Sequence, residues 1–127
     1  MRLDHAGIAT TDADALAALY RDLLDAEVVH EEGDGIHFVF LDVGDTYLEF
    51  LEPVDEDSDI GRYLAANDPG VHHLGFETGD LPAALDHARS LGVDLVDEEP
   101  REGAWGHDIA FLDPDSTGGV LVEFFQH

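Results

Sequence analysis

The chain has no cysteine and no lysine. Its only basic residues are five arginines, Arg2, Arg21, Arg62, Arg89 and Arg101, against 30 Asp and Glu, so the formal net charge is −25 over 127 residues. Each absence excludes something. Without Cys there is no disulfide framework, no thiolate nucleophile and no Cys-type zinc site. Without clustered cations the chain is no nucleic-acid binder, because phosphate contacts need grouped Lys and Arg; an anionic membrane surface is disfavoured for the same reason. No run approaches the ~18 apolar residues of a membrane span. Met1-Arg2-Leu3-Asp4-His5 lacks the basic start and long apolar stretch of a signal peptide, which makes the cytoplasm the expected compartment. What is present is an ordinary hydrophobic share of 44%, which separates the chain from a disordered acidic tail. The length suits one domain, or two small modules sharing a core.

The acids are spread through periodic segments, so they describe the surface of a folded domain. Such a surface repels itself in dilute buffer and is screened by salt, with a Debye length of about 3 Å near 1 M. A halophilic source is therefore expected.

An internal repeat organises the chain. Leu3-Asp4-His5-Ala6-Gly7-Ile8-Ala9-Thr10-Thr11-Asp12 aligns with Val71-His72-His73-Leu74-Gly75-Phe76-Glu77-Thr78-Gly79-Asp80, with His5 over His73. A helical pattern follows each: Leu16, Leu19, Tyr20, Leu23 and Leu24 in the first copy, Leu81, Leu85, Ala88 and Leu91 in the second. Thr11, Asp12 or Asp14 is placed to cap the first helix; Pro82 fits the first turn of the second, and Gly92 its C-terminal cap. Strands are predicted over 26–30 and 93–96, then acidic Gly-containing loops over 31–35 and 97–103. Two closing strands follow in each copy, over 36–41 and 46–51, and over 107–112 and 120–125. Phe40-Leu41-Asp42 matches Phe111-Leu112-Asp113, and Leu48-Glu49-Phe50 matches Val122-Glu123-Phe124. The chain thus reads as a single α+β domain, 1–127, of two βαβββ modules, 1–53 and 71–127, joined by a linker, 54–70, with a short helix near 60–66. A module of this size buries too little surface alone, so the two are expected to pair around one core.

The repeat also nominates a site. His5 and His73 are equivalent, as are Glu49 and Glu123, and pairing of the copies about a pseudo-twofold axis would bring all four into one cleft. Each Glu interrupts an apolar strand, Tyr47-Leu48-Glu49-Phe50-Leu51 and Leu121-Val122-Glu123-Phe124-Phe125. Alternation sets the Glu opposite its apolar neighbours, and a carboxylate facing a core or cleft must be paired or bound to a cation. Two imidazoles and two carboxylates suit a divalent transition metal such as Zn, Co, Ni, Mn or Fe. His72 is the neighbouring alternative to His73, but alternation points it the other way. His30, His37, His87, His107 and His127 have no equivalent in the other copy and read as surface or structural residues.

These residues resemble the vicinal oxygen chelate superfamily, built from paired βαβββ modules in a glyoxalase-like fold, and within it the methylmalonyl-CoA epimerase family. The carrying motifs are Leu3-Asp4-His5-Ala6-Gly7-Ile8-Ala9, Leu48-Glu49-Phe50-Leu51-Glu52-Pro53, Gly70-Val71-His72-His73-Leu74-Gly75-Phe76, and Ala110-Phe111-Leu112-Asp113-Pro114 through Gly118-Gly119-Val120-Leu121-Val122-Glu123. The resemblance spans nearly the whole chain. It implies that His5, Glu49, His73 and Glu123 bind a divalent metal, cobalt first, with Zn, Ni or Mn as alternatives. It also implies an acyl-CoA substrate epimerised at C2, and a homodimer. The chemistry suits the residues. The C2 proton is acidic once the thioester enolate is stabilised by a Lewis acid, and epimerisation needs proton transfer on both faces, most simply by two carboxylates. In the family one base is a loop Glu and the other is the carboxylate matching Glu123. This chain departs there: anchoring on Gly35-Ile36 puts Gly33 at the loop position, flanked by Glu31, Glu32 and Asp34, and Glu32 is favoured as the base. A second departure is Ala104-Trp105-Gly106, where many relatives have His before the Gly. Arg62 and Arg101 are the candidate cations for the CoA phosphates. Glyoxalase I chemistry and a metal-free binding module of the bleomycin-sequestering kind are the competing readings. An extradiol dioxygenase, with two His and one Glu, fits the fourfold set less well.

Overall fold

The structure, a computed structural model, describes residues 1–33 and 35–127. The chain divides into two compact units, His5–His72 and the combination of Met1–Asp4 with His73–His127. Each is α+β. In the first, β1 (Arg2–Ala9), which enters this unit at His5, leads into α1 (Ala13–Leu24), then β2 (Glu27–Gly33), β3 (Ile36–Asp42), β4 (Tyr47–Pro53) and α2 (Asp59–Ala66). Its strands lie in the order β2-β3-β4-β1, antiparallel except for the parallel pair β1–β4. In the second, β5 (Gly70–Glu77) is followed by α3 (Leu81–Ser90), β6 (Arg101–Glu102), β7 (Asp108–Phe111) and β8 (Val122–Gln126), in the order β5-β8-β7-β6, with β5 parallel to β8. No helix of the described residues is long and apolar enough to cross a membrane.

The repeat is visible in the joints between helix and sheet. Asp12 and Asp80 cap α1 and α3 with nearly the same backbone angles, accepting from Ala15 N and Ala83 N. Thr10 Oγ1 accepts from Asp12 N and Thr78 Oγ1 from Asp80 N, both at 3.3 Å. The first free amide of each helix is met by a side chain from the last strand of its own copy: Ala13 N donates to Glu52 Oε1 at 2.8 Å, and Leu81 N to Gln126 Oε1 at 2.7 Å. Gly92 takes φ +80° just beyond α3, as a helix-ending glycine does.

Each helix covers one face of its sheet. In the first unit Val39, Leu41 and Phe50 pack with Ala13 and Ala17 of α1. In the second, Ala110 and Leu112 pack with Leu81, Leu85 and Ala88 of α3. Strand alternation turns Phe40 and Glu49, and in the second unit Phe111 and Glu123, to the opposite face.

Two expectations are corrected. The strand predicted over 93–96 is reduced to one bridge, Leu95 to Leu112. Phe111 O accepts from both Val96 N (2.9 Å) and Asp97 N (3.2 Å), while Phe111 N donates to the Asp97 side chain at 2.9 Å. A carboxylate therefore takes the ladder position a backbone carbonyl would hold, and pairing resumes only at β6. The second correction is that Glu31, Glu32 and Gly33 belong to β2 and not to a loop.

Candidate functional site

The four predicted ligands are buried, with His5 3%, Glu49 4%, His73 2% and Glu123 6% exposed. The first unit brings His5 and Glu49 together. In the β1–β4 ladder Gly7 lies beside Glu49, so His5, two residues back on β1, shares its face, and His5 Nε2 is 3.8 Å from Glu49 Oε1. The second unit repeats this: Gly75 lies beside Glu123, His73 is two residues back, and His73 Nε2 is 3.9 Å from Glu123 Oε2. A glycine beside each Glu leaves the strand surface low where the carboxylate stands. Phe111 lies across from Glu123, and its ring meets the His73 imidazole edge-on at 5.6 Å. His72 is only half-buried and stacks edge-on against Tyr63 of α2.

A buried carboxylate beside a buried imidazole is costly unless a cation or a shared proton completes it. Imidazole nitrogen and carboxylate oxygen form the donor set of a borderline divalent metal. A third cluster, Asp4, Glu77 and His127, lies in the second unit. Arg2 already occupies it, at 2.8 Å from Asp4 and 2.7 Å from Glu77, and holds the Glu77 carboxyl below its usual range.

Register separates two of the three candidate loop acids. Glu32 pairs with Phe38, and His30 with Phe40, which in turn pairs with Glu49; these side chains share the face of His5 and Glu49. Glu31 pairs with Val39 and so turns to the α1 face. The phase is set by a bulge between Val28 and His30, which inserts Val29 without a partner of its own. A regular ladder continued from Val28 would put Glu31 on the Glu49 face and Glu32 against α1. Asp34 lies outside the described residues. His30, expected to be a surface or structural residue, lies beside Glu32, with Nε2 3.4 Å from Oε1.

Of the two candidate phosphate-binding arginines, Arg62 is held on α2 by Asp59 and the Asp57 carbonyl. Arg101 donates to Asp97 Oδ1 at 3.1 Å and lies 5.6 Å above the Phe111 ring. It pairs with Ile109, which makes it the counterpart of Glu32 opposite Phe38. Sequence alignment of the copies missed this equivalence, since the signal lay in ladder register. Trp105 sits in the left-handed region, φ 61°, with its ring 6.0 Å from His107.

Residues 4–111 match the Glyoxalase/Bleomycin resistance protein/Dioxygenase superfamily. The chain is 38% identical to the ethylmalonyl-CoA/methylmalonyl-CoA epimerase of Cereibacter sphaeroides, over 98% of this chain and 97% of that one. A methylmalonyl-CoA epimerase solved with methylmalonyl-CoA and ammonium is 41% identical, with a TM-score of 0.90 over 98% of this chain and 93% of its own. A variant of the Streptomyces coelicolor methylmalonyl-CoA epimerase in complex with 2-nitronate-propionyl-CoA is 41% identical, with a TM-score of 0.91, covering 99% of this chain and 94% of that one.

Proposed function

The chain belongs to the glyoxalase/bleomycin resistance protein/dioxygenase superfamily, and from its likeness to methylmalonyl-CoA epimerases within it we propose that it epimerises methylmalonyl-CoA at C2 with the help of a divalent metal. The observation that carries the reading is the buried His–Glu pair repeated at equivalent strand positions in both units. His5, Glu49, His73 and Glu123 would together hold one divalent cation, cobalt first and zinc, nickel or manganese as alternatives. Their burial and their nitrogen and carboxylate donors fit such an ion. When bound, the ion supplies Lewis-acid stabilisation of the charge that develops as the C2 proton leaves.

The remaining steps fall to side chains. Glu32 stands on the face of Glu49 and removes or returns the proton on one side of C2. Glu123 does so on the other side. One carboxylate starts ionised and the other protonated; both carry a proton while the enolate persists, and the second then gives its own to the opposite face, so the two exchange roles when the reaction reverses. A nitronate is a stable planar anion resembling an enolate, and the complex of a relative with a nitronate-bearing CoA supports the same route here. Phe40 shares the Glu49 face and would shield the reacting carbon from water, while Phe38 and Leu51 on the same face are packed with Ile60, Tyr63 and Leu64 of α2. Arg101, on the face of Glu123, is the better placed cation for an anionic group of the acyl-CoA. An acyl-CoA substrate suits a cytoplasmic enzyme, and a homodimer in a salt-rich cytosol completes the reading.

The test is deuterium incorporation at C2 of methylmalonyl-CoA in D2O and molar KCl, with and without chelator. The expected result is metal-dependent incorporation together with interconversion of the epimers. Metal binding with no exchange would overturn the epimerase, and no metal binding at all would overturn the fourfold site. Sedimentation in the same buffer measures the oligomer.

A further inference from the structure

We infer that His30 is the positioning residue for Glu32, an inference that rests on the epimerase reading above. The observations lie within the first unit. His30 and Glu32 are next-but-one neighbours on β2 and therefore share a face. His30 Nε2 lies 3.4 Å from Glu32 Oε1. The His30 ring packs on Phe40 at 5.8 Å, and Phe40 pairs across the ladder with Glu49. Side-chain exposure is 27% for His30 and 36% for Glu32, so the imidazole is the more enclosed of the two.

The base needs such help because of where it stands. It lies one residue from the end of β2, which among the described residues pairs with β3 alone. A Glu has three rotatable side-chain bonds, and at a strand end nothing in the backbone fixes its carboxylate. Effective proton transfer requires the acceptor oxygen within about 3 Å of the proton it takes. An imidazole packed on Phe40, with Nε2 3.4 Å from Oε1, would draw that oxygen into a hydrogen bond and leave Oε2 for the substrate. The bulge at Val29 supports this assignment: it turns His30 and Glu32 together to the Glu49 face, where the regular ladder would send both to α1. The step His30 assists is the ordinary one. The C2–H bond breaks, its electron pair passes into the enolate and the proton goes to Glu32; Glu123 then gives its own proton to the opposite face of C2, which completes the inversion.

The role leaves a one-sided signature. Each base takes the proton from one epimer only. With Glu32 poorly placed, the epimer facing Glu123 still exchanges its C2 hydrogen with solvent at its usual rate, while the epimer facing Glu32 exchanges more slowly. The experiment supplies each epimer of methylmalonyl-CoA separately to the metal-loaded chain in D2O and molar KCl, and follows C2 deuteration by mass spectrometry. For His30→Ala the expected result is epimerisation slowed about 10- to 100-fold. Initial exchange should slow by a like factor from one epimer and stay within about twofold from the other. His30→Gln, which keeps an N–H donor, should recover part of the lost rate. Equal slowing of both epimers at unchanged metal content and melting temperature, or no slowing of either, would overturn the role of His30 and leave the epimerase intact. A wild-type chain inert toward both epimers would overturn the epimerase and this role with it.

Discussion

Replacing Glu123 by Gln should reverse its effect on stability according to whether metal is present. Glu123 is 6% exposed and 3.9 Å from the His73 imidazole. With a cation held at 100 times its dissociation constant, binding stabilises the folded wild-type chain by about 2.7 kcal/mol. For a chain of this size that corresponds to a melting temperature roughly 10 °C higher. Gln keeps the shape and loses the charge, so cation affinity should fall at least tenfold, which removes about 1.4 kcal/mol of that gain. In chelator the sign changes. The wild-type chain must then bury a carboxylate with no cation beside it, whereas the amide carries no such penalty. Metal-free Glu123→Gln should therefore melt a few degrees above metal-free wild type, and below it when cobalt or zinc is supplied. Calorimetry in molar KCl, with metal and then with chelator, reads both differences. A wild-type melting point indifferent to chelator, or a variant less stable in both conditions, would refute the claim that Glu123 is a ligand.

Three further outcomes follow from the same structure. His37 Nε2 meets Asp14 Oδ1 at 2.9 Å, and that hydrogen bond raises the imidazole above its ordinary value of 6.5 against partial desolvation. Its stability contribution is complete below the unfolded value and is lost as pH rises through the raised one. His37→Gln should lower the melting temperature by roughly 1–3 °C at pH 6 and leave it unchanged at pH 9. Glu52→Ala and Gln126→Ala each strip the first amide of a helix of its partner and should cost about 1 kcal/mol by denaturant titration, the charged Glu52 costing more in dilute buffer. Both kcat/KM for methylmalonyl-CoA and the melting temperature should rise with KCl toward molar levels, because a chain of net charge −25 repels both itself and its anionic substrate. A flat or falling kcat/KM in folded protein would refute the electrostatic argument.

The repeat made most of the fold legible, because matching His and Glu positions carried matching strands and helices with them. The capping pairs Asp12 and Asp80 stand at equivalent places in the aligned segments, and the structure gives them the same job. Failure came where a side chain replaced a backbone partner. Val93-Asp94-Leu95-Val96 has the composition of a strand, yet the Asp97 carboxylate accepts from Phe111 N and ends the ladder. Periodicity counts residue types and is blind to such a substitution. The arginine counterpart of Glu32 was hidden for the same reason, since the interrupted strand puts Arg101 in register only through its pairing with Ile109.

The choice between Glu31 and Glu32 shows how a single unpaired residue decides a site, and it can be tested by deletion. Val28 pairs with Leu41 and His30 with Phe40, so Val29 is the extra residue of the bulge. Removing Val29 leaves both pairings intact and makes the ladder regular, with His30 and Glu32 still on the face of Glu49. The shortened chain should fold and keep epimerase activity within about tenfold of wild type, since only a half-exposed side chain and an irregular pair are lost. Inserting one alanine between His30 and Glu31 shifts everything beyond it by one and turns Glu32 toward α1. That variant should lose exchange at C2 from one epimer while its metal content is preserved. An inactive deletion and an active insertion, each folded by circular dichroism, would show that ladder phase does not select the base and that Glu32 is the wrong residue.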